Sequence, residues 1–476
     1  MNKKGITIEE NTPELKKTAL EWLDKNRRTL IKLSNKIWEY AEVGMQEEKS
    51  AKALHNWLRK NGFYIRTGIS GMPTAFLAEF SRGSGSPVIG LLAEYDALPG
   101  NSNKKVPRHE PLKEGGPGHG CGHNLIGVGA AAAAVAIKKS IEKLKINATV
   151  RVYGTPGEEL LVGKVFMARD GLFDDCDVIL TSHPGDINAA SAIPCYFFIS
   201  TEFTFFGESC HLPSMPEIGR NALDAAQLAI ISTNMRNKHM KKDTIIEYVI
   251  PDGGFQPNVV PDVSKVWFFV RHRELSGLKD AYKKVIESVR GAAISTGTTW
   301  QEKFITGCYG YLPNDRLAKL IYDNAMMIGP PTFTNKEKHF ANEIRKNYGF
   351  TEANEPIHKE IDLLRGIMGT YSQDDGDASW INPLGKLKYA FPRDIPVHGW
   401  GFTALSGTSI GHKGMMFAAK TITATGIDIL MRQDVLKEIK NEHKGRTKGF
   451  KYACLVPPNI KPITRDFMKY HVKTRW

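Results

Sequence analysis

The order of apolar patterns changes near residue 194 and changes back near residue 311, and this interruption constrains the fold more than any other feature. Before it, short apolar β-type segments alternate with amphipathic helices, as in an α/β sheet. Within it, the patterns predict strand, helix, strand, strand, helix and strand, a ferredoxin-like βαββαβ order. We therefore predict an α/β domain with a central mixed sheet flanked by helices, built from residues 1–193 and 312–476, and a second domain of residues 194–311 inserted into it.

Composition and charge narrow the functional class. Among 476 residues, 41% are hydrophobic and 24% charged, which is typical of a globular protein. The net charge is +13, but the basic residues are dispersed, so we expect no nucleic-acid partner. The most apolar run, residues 125–137, is shorter than the ~18 residues that span a bilayer, so we expect no membrane partner. Six cysteines without a CxxC pair, and no apolar segment behind the first basic residues, favour a cytoplasmic protein.

The segment HGCGHN, residues 119–124, is the strongest chemical signal in the chain. Cys121 and His123 are separated by one glycine, which permits a tight turn, and both side chains are metal ligands. Taken alone, the segment fits a glycine-rich helix entry with an incidental cysteine at least as well. Further donors elsewhere in the chain are needed to favour a metal site.

Such donors follow other predicted strands. Glu158 and Glu159 come after the strand RVYGT, where successive side chains diverge, so that one carboxylate can bind a metal while its neighbour faces a water molecule. His183 follows another apolar strand. Near the C-terminus, PVHGWGF contains His398 and GHKGM contains His412; only one of the two is needed, and we count His398.

These side chains provide sulfur, nitrogen and oxygen donors for two metal ions that share a bridging group. The predicted metal ligands are Cys121, His123, Glu159, His183 and His398. Two zinc or manganese ions about 3.5–4 Å apart polarise a carbonyl and acidify a water, so that an amide is hydrolysed without a covalent intermediate. Glu158 is then the base. Glu94 and Asp96 end an apolar strand on one face, and we include Asp96 in the catalytic site because such a carboxylate orients a ligating imidazole.

The motifs, taken in order, resemble those of a known family. LLAEYDALPG, HGCGHN, GTPGEE, TSHPG and FFGESCHLPSMPEIGRNALDAA resemble the dinuclear-metal aminoacylase and carboxypeptidase family, in its amidohydrolase branch with a bridging cysteine. The later segments GDASW, PVHGW and SIGHKGMMFAAKT extend the likeness over most of the chain. The resemblance implies that Cys121 bridges two divalent metal ions, that His123 and His183 bind one of them, and that Glu158 is the general acid/base. Glu159 and His398 match the ligands of the other ion.

The resemblance also gives the inserted domain a role as a lid that mediates dimerisation. His211 matches a lid histidine that reaches the active site, often that of the partner subunit, and stabilises the tetrahedral oxyanion. Asn258 and Arg271 match lid positions linked to substrate binding. An arginine suits a substrate carboxylate because its fork binds both oxygens.

The activity implied by the resemblance is hydrolysis of the amide bond between an acyl or aroyl group and an amino acid, with a p-aminobenzoyl-glutamate-like substrate favoured. The small-molecule partner is then an N-acyl amino acid, and the assembly is a homodimer or a heterodimer with a related subunit. Two alternatives stay open: a dipeptidase acting on peptides that end in a basic residue, and a non-catalytic binding subunit of a heteromeric hydrolase. Between Pro99 and Gly118 we expect a mobile loop at the edge of the site, and within it the segment 101–116 is longer than this branch needs.

Overall fold

A computed structural model describes residues 12–463 of the chain. The expectation that no apolar segment follows the first basic residues therefore lies largely outside the described residues. The described part contains the α-helices α1 (Thr12–Tyr40), α2 (Glu48–Lys60), α3 (His123–Leu144), α4 (Gly163–Arg169), α5 (Ala222–Asn237), α6 (Leu275–Thr296), α7 (Asp315–Ile328), α8 (Asn335–Asn347), α9 (Gly376–Ile381), α10 (Trp400–Ser406), α11 (Ser409–Met431) and α12 (Gln433–Arg446).

Eight strands form a large mixed sheet in the order β1-β2-β4-β3-β5-β12-β6-β11. Its strands are β1 (Tyr64–Thr67), β2 (Phe76–Arg82), β3 (Val88–Ala93), β4 (Ala148–Gly154), β5 (Val178–Gly185), β6 (Ala189–Ala192), β11 (Asp362–Arg365) and β12 (Leu384–Ala390). The four central strands β4, β3, β5 and β12 are parallel, whereas β2 pairs antiparallel with β4, and β6 with β12. The carboxyl ends of the four parallel strands therefore meet at one edge of the sheet.

Helices cover both faces of this sheet, as its apolar strands require. Strand β3 is buried at five of its six positions, which is expected when neither face meets water. Helices α1, α3 and α11 pack against one another over one face. Helix α3 is long and apolar enough to cross a membrane, but 94% of the relevant window is buried among these elements, so it is a core helix.

The inserted segment forms a second sheet of four antiparallel strands in the order β10-β7-β9-β8. Its strands are β7 (Phe197–Phe206), β8 (Ile245–Asp252), β9 (Val263–His272) and β10 (Thr299–Cys308). Helices α5 and α6 pack on one face, and burial along β9 alternates strictly, because only that face is covered by helices. The order of elements is βαββαβ. The predicted fold class is thereby confirmed, while the domain boundaries at residues 194 and 311 stay predictions.

Candidate metal centre

The donor side chains lie at the carboxyl edge of the four central parallel strands. Glu94 follows β3, Glu158 follows β4, and His183 lies near the end of β5. Cys121 immediately precedes the first turn of α3. Open α/β sheets place ligands outside the carboxyl ends of parallel strands, because side chains from separate strands converge there.

Two groups of donors share Cys121. The donor atoms of Cys121, His123 and His183 all lie within 4.8 Å of one another, and so do those of Cys121, Glu159 and His398. Cys121 Sγ is 3.3 Å from His183 Nε2, and His398 Nε2 is 3.2 Å from Glu159 Oε2. The structure therefore brings together all five sequence-predicted ligands, with the cysteine between the two groups.

Two glycines with positive φ allow the chain to present these donors. Gly122, at φ 75°, turns the backbone between Cys121 and His123, and a Cβ at this position would lie 2.8 Å from Pro184 Cγ. Gly157, at φ 61°, precedes Glu158 and donates its N–H to the buried Glu47 at 2.8 Å. Burial, reinforced by Asp96, raises the pKa of Glu47 to about 8.

The choice between the two C-terminal histidines is decided by the loop between β12 and α10. His398 has a φ of 65° and its N–H donates to Gly120 O at 3.0 Å, which ties this loop to the HGCGHN segment. A non-glycine residue in this region costs energy and is found mostly where the surrounding structure holds it. His412 lies in α11, where its Nε2 is 3.2 Å from Asn35 Oδ1, and it does not line the cavity described below.

Asp96 positions the donors and does not face the cavity. Its Oδ1 is 2.8 Å from His123 Nδ1, which leaves His123 Nε2 directed at the other donors, and its Oδ2 accepts a hydrogen bond from Glu159 N at 3.0 Å. Burial would raise the pKa of Asp96, but the neighbouring His123 outweighs this effect, so the pKa is lowered overall. We therefore treat Asp96 as a positioning residue that fixes the imidazole and the backbone of Glu159.

The chemistry of the donor set fits divalent metal ions. Glu94 Oε2, His123 Nε2 and Glu159 Oε1 are buried without a hydrogen-bond partner among residues 12–463. Burial and the neighbouring carboxylate of Glu159 raise the pKa of the Cys121 thiol. Cations held between these groups would satisfy the unpaired atoms and stabilise the thiolate. When bound, two such ions polarise a carbonyl oxygen and lower the pKa of a water molecule.

Glu158 is buried next to the donors and lines the cavity. Its Oε2 is 3.6 Å from His123 Nε2, and its donor atom groups with those of Glu94 and His123 within 4.8 Å. Burial, together with the negative charge of Glu94, raises the pKa of Glu158. A carboxylate in such a position is suited to accept and release a proton.

Lys164 was not predicted from the sequence and is completely buried in α4. Its Nζ lies 2.9 Å from Glu94 Oε1 and 2.5 Å from Asp374 Oδ1, and its N–H donates to Asp374 Oδ2 at 2.8 Å. Burial alone would lower the pKa of Lys164, but Asp374 and Glu94 raise it. Lys164 thus fixes Glu94. The signal in the sequence is one lysine inside the apolar run LVGKVFMA.

The donors open into a cavity of about 940 Å³. The second sheet forms part of its wall, where Phe198, Phe269 and Arg271 line it. The Arg271 guanidinium lies 4.8 Å from the centre of the Phe198 ring, and its Nε donates to Glu247 Oε2 at 2.9 Å. Arg271 thus lies on the same cavity as the metal donors.

His211 and Asn258 lie elsewhere. Neither lines the cavity, and both are exposed. His211 Nδ1 is 2.7 Å from Ser214 Oγ, and Asn258 O accepts from Leu212 N at 3.4 Å, so the two residues are neighbours on the inserted segment. Within one chain, the structure does not bring these two predicted residues to the donors.

The segment 101–116 packs beside the cavity without lining it. None of its residues lines the cavity; the His109 ring instead packs 6.1 Å from the Trp400 ring, which stacks on the cavity-lining Tyr348. Its two ends are joined by the bond from Ser102 N to Gly116 O, 2.9 Å long. The segment therefore lies behind the cavity wall and supports it.

Substitution of His398 and of His412 is expected to affect the metal content differently. We expect about two divalent ions per chain in the purified protein and about one in His398→Ala, because that change removes a nitrogen donor from one group. His412→Asn should retain two, because His412 contacts Asn35 outside the centre. Elemental analysis of dialysed protein gives the stoichiometry. A full metal complement in His398→Ala, or a loss in folded His412→Asn, would contradict the assignment.

Comparison with known proteins is consistent with this geometry. Residues 90–370 match the peptidase family M20/M25/M40. The chain is 34% identical over 469 residues to one of the subunits of the p-aminobenzoyl-glutamate hydrolase of Escherichia coli (strain K12), covering 92% of this chain and 97% of that protein. It is 26% identical over 441 residues to the Xaa-Arg dipeptidase of Mus musculus, covering 90% and 92%. The crystal structure of a dinuclear metal binding peptidase from the M20 family, from Bacillus subtilis, aligns with TM-score 0.56 at 15% identity, covering 86% of this chain and 99% of that one, and so shares the fold.

Proposed function

Since the chain belongs to the peptidase family M20/M25/M40 and is therefore a metal-dependent hydrolase of amide bonds, we propose that its substrates are N-aroyl amino acids of the p-aminobenzoyl-glutamate type. The observation that supports this most directly is the likeness to a p-aminobenzoyl-glutamate hydrolase subunit over 92% of the chain. The group of donors around Cys121 supports the hydrolytic part of the proposal. The complete set of donors around Cys121 favours an enzyme over the alternative of a non-catalytic binding subunit.

In this proposal each residue has a separate task. Cys121 would be shared by the two ions, His123 and His183 would hold one of them, and Glu159 and His398 would hold the other. Glu158 takes a proton from the attacking water and passes it to the leaving amine. Arg271 binds a carboxylate of the amino-acid moiety, which its place on the cavity wall supports.

The inserted segment, residues 194–311, is proposed to act as a lid and dimerisation domain on a catalytic domain formed by residues 1–193 and 312–476. Exposure of His211 away from its own cavity supports a role that needs lid closure or a second chain. This requirement is met equally by a homodimer and by a heterodimer with a related chain. The Escherichia coli relative is named as one subunit of its hydrolase, which supports the heterodimer.

A reducing compartment is proposed for the enzyme. All six cysteines are free, and Cys121 is needed as an unoxidised donor, both of which support a cytoplasmic location.

A second candidate function is a dipeptidase acting on peptides that end in a basic residue, and the likeness to an Xaa-Arg dipeptidase favours it. A panel of N-acyl amino acids separates the two. We expect kcat/KM for p-aminobenzoyl-glutamate to exceed that for the matching arginine compound by at least about tenfold, because a charge of the wrong sign is rejected strongly in a partly dry site. Preference for arginine or lysine would favour the dipeptidase instead. No turnover of either class by metal-loaded protein would overturn the proposed substrate class.

A further inference from the structure

The cavity wall beside the metal donors carries a lysine that the proposed chemistry does not use. Lys388 lies on β12 and is paired in register with His183 on the parallel strand β5. Paired residues of neighbouring strands project on the same face of a sheet. Both side chains line the cavity. Lys388 is therefore a neighbour of the metal donor His183 on the cavity wall.

Lys388 forms no ion pair among residues 12–463, and the carboxylate that acts on it, Asp186, is exposed to solvent. No carboxylate oxygen of residues 12–463 lies within 4.0 Å of its Nζ, and its nearest aromatic contact is the Tyr371 ring, 5.6 Å away at the centroid. Lys386, two residues earlier on the same face, is in contrast bonded to Gln373 at 2.7 Å and Asp375 at 2.8 Å. The ammonium of Lys388 is half-buried, which makes a missing counter-ion costly.

The remaining charges of the wall, outside the metal donors, are paired or exposed. Asp375 is paired with Lys386, and Asp394 Oδ2 lies 2.7 Å from Arg345 Nη2. Asp186 is exposed to solvent, where water weakens its field. The half-buried charge of this wall left without a partner among residues 12–463 is thus positive, and the occupant that complements it is an anion.

We propose that Lys388 binds the side-chain carboxylate of an acidic amino acid in the substrate and so selects N-acyl glutamate over neutral and basic analogues. The inference rests on the proposed function, because it places the amino-acid moiety in this cavity. An N-acyl glutamate carries two carboxylates, and the cavity offers two cations from different elements: Arg271 on the second sheet and Lys388 on the large one. A basic side chain at the same place would meet a like charge.

The test compares one variant on two substrates that differ only in charge. We expect the ratio of kcat/KM for p-aminobenzoyl-glutamate to that for p-aminobenzoyl-glutamine to fall about 10- to 100-fold in Lys388→Met, mostly through KM, as for loss of a charge-assisted hydrogen bond. Lys388→Arg should retain most of the preference, and Lys388→Glu should shift it towards the arginine compound. Lys437→Met, on the exposed side of α12, is the matched control and should leave the ratio as in the parent protein.

The outcomes separate this inference from the function on which it rests. If the parent enzyme cleaves the glutamate compound and Lys388→Met loses the same factor on both substrates, the inference is wrong and the proposed function stands. If the parent cleaves neither compound with two ions bound, both are overturned. Melting temperatures identify variants that fail to fold, and Lys388→Gln then provides the same comparison.

Discussion

Glu158→Gln is expected to bind two metal ions per chain and to lower kcat by about 10³-fold, within the range typical of a lost general base. Glutamine has the shape of glutamate but accepts no proton at neutral pH. The metal content should survive because the two groups that share Cys121 do not include Glu158. Single-turnover rates with p-aminobenzoyl-glutamate, measured beside elemental analysis of the same sample, give both quantities.

The neighbouring carboxylate provides the control for this experiment. Glu159→Gln removes a donor from the group that contains Cys121 and His398, so we expect it to lose metal as well as rate. The two adjacent variants should therefore differ in metal content while both lose turnover. If Glu158→Gln kept its rate, the base would have to be another group.

The fold was accessible to sequence reasoning because its signals are local. Each strand and helix of the inserted segment was predicted from its own apolar period, and the strand order β10-β7-β9-β8 is the one expected for a ferredoxin-like module. The donors of the metal centre were found for a similar reason, because they lie in short local motifs: HGCGHN at a helix entry, Glu158 and Glu159 after a strand, and His183 near the end of another. Helix α3 shows what composition alone does not decide. The length of the whole helix and its apolar composition suit a membrane span as well as a protein core.

The site residues that could not be predicted from the sequence are those whose neighbours lie far away along the chain. Lys164 finds its partner in Asp374, 210 positions away, and a lone lysine in an apolar run indicates nothing about that partner. Lys388 lies beside His183 only because β12 inserts between β5 and β6. The packing of the segment 101–116 on Trp400 could not be predicted for a similar reason, since glycine and proline content predicts a loop but not the surface on which it packs.

The two ion pairs of Lys164, with Asp374 and with Glu94, help to explain how several carboxylates can lie close together. Glu94, Asp96, Glu158 and Glu159 are close enough to destabilise one another when ionised. The buried Lys164 on one side, and divalent ions held by the donors on the other, would place positive charge next to these carboxylates. Lys164 therefore contributes to the centre indirectly, through its ion pair with Glu94.

His211→Ala is expected to lower kcat by about 10²- to 10³-fold, as for removal of one oxyanion donor, while metal content and KM change little. The reason is that His211 is proposed to stabilise the oxyanion, and because it is exposed and does not line its own cavity, this role would require lid closure or a second chain. Ser214→Ala, which removes only the hydroxyl 2.7 Å from His211 Nδ1, is the milder control and should cost far less. An unchanged rate in His211→Ala would remove the residue from the mechanism.

Mixing two inactive variants decides which chain supplies His211. In a mixed dimer of Glu158→Gln and His211→Ala, a histidine that acts on the partner subunit leaves one site with both Glu158 and His211 intact. We then expect activity to return to about one quarter of the parent level, since random pairing makes half of the dimers mixed and each has one working site. A histidine that acts within its own chain leaves every site defective, so the mixture would stay as inactive as its components. Co-purification of differently tagged chains then isolates the mixed dimers, and their activity should rise to about one half of the parent level because each has one working site of two. A purified mixed dimer without activity would show that His211 acts within its own chain.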